Sequence, residues 1–159
     1  MDILSQLIED KDIVSRRNSL KNPFETQKIK TVELPSYVDQ GWEKAKEYKN
    51  PSFVLIKKDL AEDVLFSNKI WTLFSLMGFQ QMNRSSDFAI SFDAVHPEAV
   101  HNFDVFATDE ETVLLVECKY SSFMVESDFI NELRIFQNQI GAIRLQISKC
   151  FGKRKVKFI

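Results

Sequence analysis

The chain has 159 residues, 44% hydrophobic and 28% charged, with a formal net charge of −2. That is enough for one compact domain with its own core and a small appendage, and it is too apolar for wholesale disorder. The slight acidity gives no global basic field for nucleic acid, and the longest apolar run falls far short of a bilayer span.

The opening MDILSQLIEDKD is acidic and amphipathic, without the basic start and apolar run of a signal peptide. Cys118 and Cys150 make neither a disulfide framework nor a zinc knuckle, so a reduced, cytoplasmic setting is expected. Residues 1–20 are expected to be helical, with Ile3, Leu4, Leu7 and Ile8 at helical spacing, and Asn22-Pro23 ends the run. This helix is a candidate contact for a homodimer. A strand is expected at residues 29–34, ended by Pro35, then a short helix over 39–48 and a second strand over 52–57. Residues 1–58 thus read as a helix followed by a small strand–helix–strand subdomain.

Residues 60–77 carry the clearest helical pattern. Asp63, Phe66, Ile70, Leu73, Phe74 and Met77 share a stripe, and Gly78 stands where a left-handed cap falls. Residues 88–92 read as a strand and 93–101 as a loop. A strand at 103–107, an acidic turn at 108–111 and a nearly unbroken apolar strand at 112–119 follow, the last expected to be covered on both faces. A second long helix spans 127–149 with Phe129, Leu133, Phe136, Ile140, Ile143 and Ile147 on one side, and a strand begins at 155. The order helix, three strands, helix, strand predicts an α/β core over residues 59–159. It has a central mixed sheet flanked by helices and is expected to continue past the last residue.

Alternation along residues 113–119 puts Val113, Leu115, Glu117 and Lys119 on one face and Leu114, Val116 and Cys118 on the other. Asp104 lies on the preceding strand, a short turn away, so two acids and a lysine converge at one sheet edge. Charges that end a buried strand are costly unless paired or functional. Phosphodiester hydrolysis needs this set. Asp104 and Glu117 would hold Mg²⁺ or Mn²⁺, with the backbone carbonyl of Cys118 as a further ligand, and Lys119 would orient water or stabilise charge. The structural alternative is a salt-bridged strand end.

The string FDVFATDEETVLLVECKYS over residues 103–121 resembles the core of PD-(D/E)XK nucleases, the restriction-endonuclease-like superfamily. Asp104 matches the motif's aspartate, Glu117 its second acid and Lys119 its lysine. IWTLFSLMGF at residues 70–79 resembles the opening helix of the archaeal Holliday-junction resolvase and Mrr-like branches. More narrowly, residues 30–159 are similar to the nuclease-like N-terminal region of bacterial DGQHR-domain proteins, although the DGQHR signature is absent. The resemblance implies a restriction-endonuclease-like fold, DNA as partner and metal-dependent endonuclease chemistry. It also implies a glutamate about three turns before the helix-ending glycine, where this chain has Ser67. Asp63, one turn earlier, is a candidate substitute metal contact, against a plain role for it and Glu62 as helix N-terminal acids. The alternative function is a catalytically silent nuclease-like fold that binds DNA or protein.

The C-terminal KCFGKRKVKFI offers Lys149, Lys153, Arg154 and Lys155 as candidate phosphate contacts. His96 and His101 read as exposed loop residues, the second at the margin of Asp104. Trp42 and Trp71 read as packing residues, and Gln137, Asn138 and Gln139 as a solvent face, with the cleft as the alternative. The four glycines are scattered and make no phosphate-cradling loop.

Overall fold

A computed structural model of the chain describes residues 2–93, 95–119 and 126–159. The elements in order are β1 (Leu7–Glu9), α1 (Asp10–Ser19), β2 (Phe24–Lys30), α2 (Leu34–Val38), β3 (Glu43–Glu47), β4 (Phe53–Asp59) and α3 (Glu62–Leu76). There follow β5 (Gln81–Asn83), β6 (Phe88–Ser91), β7 (Val100–Phe103), β8 (Val105–Thr108), β9 (Thr112–Val116), α4 (Glu126–Phe151) and β10 (Lys155–Phe158). The architecture is mixed α/β. No helix among the described residues is long and apolar enough to cross a membrane.

The largest sheet has the order β1-β5-β8-β9-β10, antiparallel throughout except for the parallel pair β9–β10 that α4 connects. The apolar run of β9 occupies its centre because both faces are covered. Val113 and Leu115, with Phe106 of β8, pack against Ile143, Ile147 and Phe151 of α4. Leu114 and Val116, with Val105 and Ala107, pack against Trp71 and Phe74 of α3 and Ile13 of α1. Each fully buried aliphatic side chain contributes about 1.5–3 kcal/mol. A polar residue in this run would forfeit that. Gly78, at φ +92, ends α3 as its position predicts.

Several expectations are corrected. The N-terminus is not one helix: Leu7 and Ile8 pair with Asn83 and Met82 as an edge strand, and the helix starts at Asp10. Ile3, Leu7 and Ile8, expected on a helix face for a second copy, are buried in this chain's own core. Their apolar spacing suits both periods, and the sheet edge settles it. Residues 43–47 form a strand rather than a helix, because β4 offers them an edge. Pro35 opens α2 instead of merely ending a strand, since its missing N–H costs nothing in a first helical turn. The stripe of α3 is also rotated. Trp71 and Phe74 are buried, while Leu73 and Met77 are 50% and 63% exposed. This helix carries apolar residues on nearly every side, so spacing alone does not choose a face.

The segment from β2 to β4 makes its own three-stranded antiparallel sheet, in the order β2-β4-β3. One face buries Ile29, Val54 and Ile56 beneath Leu34, Tyr37 and Trp42. On the other face, Lys28 pairs across to Leu55 and Lys30 to Phe53.

Candidate active site

The strand expected at 103–107 is broken at Asp104. β7 pairs with β6 in a two-stranded ribbon, whereas β8 joins the large sheet, and Asp104 sits at the bend between them. It is one residue beyond the Val105–Val116 pair, opposite Glu117. The Asp104 N–H donates to the Val116 carbonyl at 3.1 Å, and its Oδ2 accepts the Cys118 N–H at 2.7 Å. Buried Asn83 secures the bend from behind. Its Nδ2 donates to the Asp104 carbonyl at 2.9 Å and to that of Ser85 at 2.7 Å, and its Oδ1 accepts the Phe106 N–H at 3.0 Å.

Glu117 lies just past β9, where its N–H donates to the Ile159 carbonyl at 3.0 Å. Its Oε1 takes a close hydrogen bond from His101 Nε2, and its Oε2 lies 3.3 Å from Lys119 Nζ. His101 Nδ1 donates to Gln139 Oε1 of α4 at 2.8 Å, and Lys119 Nζ also reaches Glu132 Oε2 of α4 at 2.9 Å. The result is a row of alternating charge: His101, Glu117, Lys119, Glu132. With oxygen atoms facing both nitrogens, the surroundings of the His101 ring favour its protonated form. A cleft of about 370 Å³ opens beside this row, walled by Phe129, Leu133 and Phe136.

The electrostatics follow from this geometry. Burial pushes the Asp104 carboxyl above its ordinary range; the Cys118 N–H opposes this, and the charges of Glu117 and Asp63 add to it. The His101 hydrogen bond holds the Glu117 carboxyl low, outweighing its burial, with help from Lys119. Burial works against charging His101, but the bonds to Glu117 and Gln139 and the Glu117 charge raise its pKa overall. Lys119 is likewise raised: partial burial opposes its charge, and Glu132 and Glu117 outweigh it.

Asp104, Glu117 and Lys119 are therefore brought together. Asp63 is near enough for its charge to act on Asp104, and burial pushes the Cys118 thiol up, with Ser67 opposing. Lys149, Lys153, Arg154 and Lys155 are not part of this cluster. Lys155 pairs with Thr112 at the far end of β9, and Arg154 donates to Thr108 Oγ1 at 3.0 Å. Five residue steps along the strand separate Thr112 from Glu117, roughly 17 Å. Two residues were assigned elsewhere by sequence. His101 is on β7 and packed against Phe103 and Phe136 rather than in a loop. Gln139 faces His101 rather than solvent. The signal for His101 was its parity with Phe103 on a strand, visible once β7 is extended back to Val100. His96 does lie in an exposed loop, and Trp71 packs in the core.

Among the described residues, no three His, Cys, Asp or Glu side chains are gathered as a metal cluster. The donors at hand are two facing carboxylates, one of them raised in pKa by burial and crowded by further acid. Mg²⁺ is commonly held by one or two carboxylates, with waters and substrate phosphate completing the shell, so this donor set suits it. Comparison with protein-family models, curated proteins and solved structures finds no significant match to this chain.

Proposed function

We propose that the chain is a metal-dependent endonuclease of the PD-(D/E)XK kind, with a restriction-endonuclease-like core, that hydrolyses phosphodiester bonds in DNA. The observation that carries this is the meeting of Asp104, Glu117 and Lys119 at one end of the β8–β9 pair, Asp104 just before β8 and the other two just past β9. Mg²⁺ or Mn²⁺ held there supplies a polarised phosphoryl oxygen and a water of lowered pKa. Asp104 and Glu117 are the side chains that would hold it, with the Cys118 carbonyl beside them. Lys119, kept charged by two carboxylates, serves as a hydrogen-bond donor to the phosphate or the attacking water rather than as a base. The test is cleavage of plasmid and oligonucleotide DNA with Mg²⁺ or Mn²⁺. Wild type is expected to cut and Asp104→Ala to leave the substrate intact; no cutting by wild type under any of these conditions would refute the proposal.

On this reading His101 orients Glu117. His101→Phe keeps the ring against Phe103 and Phe136 but removes both donors, whereas His101→Gln restores an N–H toward Glu117. The Phe variant is expected to weaken Mn²⁺ binding about 10- to 100-fold, the usual effect of losing a partner behind a ligand, with Gln close to wild type. Calorimetric titration reads this directly, and equal affinities in all three proteins would remove His101 from the site.

The second reading is a silent nuclease-like fold that binds DNA or protein without turnover. Ser67 favours it, because a small hydroxyl bonded to the Asp63 carbonyl at 3.0 Å replaces the carboxylate implied by the resemblance. Salt-dependent DNA binding without metal-dependent cleavage is the result that selects it.

A further inference from the structure

The uncovered face of the small sheet combines two features that its own core does not need. Register puts Phe24, Thr26, Lys28 and Lys30 of β2 on the same face as Phe53, Leu55, Lys57 and Asp59 of β4. Glu43 and Lys46 of β3 share that face, because they pair with Lys57 and Leu55. The hydrophobic cluster beneath α2 uses only the opposite side. Phe24, Phe53 and Leu55 are nevertheless partly exposed here, and Tyr48, just past β3, is 36% exposed. Lys28 Nζ sits 4.9 Å from the Tyr48 ring and 4.5 Å from the Phe53 ring, and Lys57 Nζ lies 5.8 Å from the Phe24 ring. Four lysines thus share the face with two acids, Glu43 and Asp59, in a chain whose net charge is −2.

We infer that this sheet face binds single-stranded nucleic acid, its lysines meeting backbone phosphates and its rings stacking on bases. The excess of cations complements a polyanion. The rings suit a single strand rather than a duplex, because paired bases keep their faces stacked on one another. Exposed cation–π contacts are weak, so the lysines can leave the rings for phosphates as bases take their place. The strand-to-strand spacing of a sheet keeps the cations close enough to follow one backbone. This surface is separate from the Asp104–Glu117 site, and its role does not depend on cleavage.

The experiment is fluorescence anisotropy of the whole chain with labelled oligo(dT), oligo(rU) and a duplex of equal length, in EDTA so that no cutting intervenes. Single strands are expected to bind more tightly than duplex, and the dT-to-rU ratio tells which sugar is preferred. Tyr48→Ala is expected to weaken binding about 5- to 150-fold, the value of one stacked base. Lys28→Gln with Lys30→Gln is expected to flatten the log–log salt dependence by roughly 1.4, or 0.7 per lost phosphate contact. Circular dichroism checks that each variant is folded. Three results would overturn the inference: duplex binding at least as tight as single strand, polyglutamate competing as well as oligo(dT), or complete loss of binding when only Lys153, Arg154 and Lys155 are neutralised.

Discussion

Asn83→Ala is expected to destabilise the protein by roughly 2–5 kcal/mol, a large share of the 5–15 kcal/mol that holds a typical domain together. The residue is 1% exposed, and its amide meets three backbone groups: the carbonyls of Asp104 and Ser85 and the N–H of Phe106. Alanine leaves all three facing a hole, and each buried unpaired group costs about 1–3 kcal/mol, less whatever an entering water recovers. The damage is local as well as global, because two of those groups flank the bend that aims Asp104. Asn83→Asp keeps the acceptor for Phe106 but loses the donor, and is expected to fall between wild type and alanine. Urea unfolding measures this as a drop in midpoint at constant slope. A loss below about 1 kcal/mol for the alanine variant would mean that the bend is held by other contacts.

If the chain is the nuclease proposed above, Lys119→Ala is expected to slow DNA cleavage about 100- to 1,000-fold, the usual effect of removing one donor aimed at developing charge. Its ammonium reaches both Glu117 and Glu132, so the side chain is held in place before substrate arrives. It is also 42% exposed, and an ion pair in that setting is worth under about 1 kcal/mol of stability. Lost activity therefore cannot be assigned to unfolding. Lys119→Arg keeps the charge but spreads it over a planar fork, and is expected to recover only part of the rate. Single-turnover kinetics with Mg²⁺ separates the chemical step from binding. An unchanged rate in the alanine variant would take the lysine out of the transition state.

The strongest periodic signals in the sequence were legible, and the reasons are physical. β9, α3 and α4 each carry a long apolar pattern that fixes the type of element, and all three form close to where the pattern puts them, although β9 stops at Val116 and α3 buries a different face. The alternation along β9 also separates Val113 and Leu115 from Leu114 and Val116 as expected. Of the short elements, β4, β6 and β10 were legible and others were not. Leu7 and Ile8 fit a helix or a strand equally well, and only the distant β5 decides between them. Residues 43–47, EKAKE, have high helix propensity, yet the hydrogen bonds of β4 override it. At the site, the three charged residues were readable because charge at the end of an apolar strand is conspicuous. Asn83, His101 and Gln139 were not, because their meaning comes from partners 16 to 38 residues away. No local pattern encodes such partners.

The five-stranded sheet has β1 on one edge and β10 on the other, so its margins are drawn from segments far apart in the sequence. The β8–β9 hairpin is local and can close early, while β1 must wait for β5 and β10 must wait for the whole of α4. On the ribosome this imposes a timetable. The backbone N–H of Glu117 is clamped by Ile159, so the carboxylate-bearing segment is secured only when β10 docks. A nascent chain halted within α4 would hold a hairpin with Asp104 and Glu117 present but loosely aimed, and their alignment would follow the docking of β10.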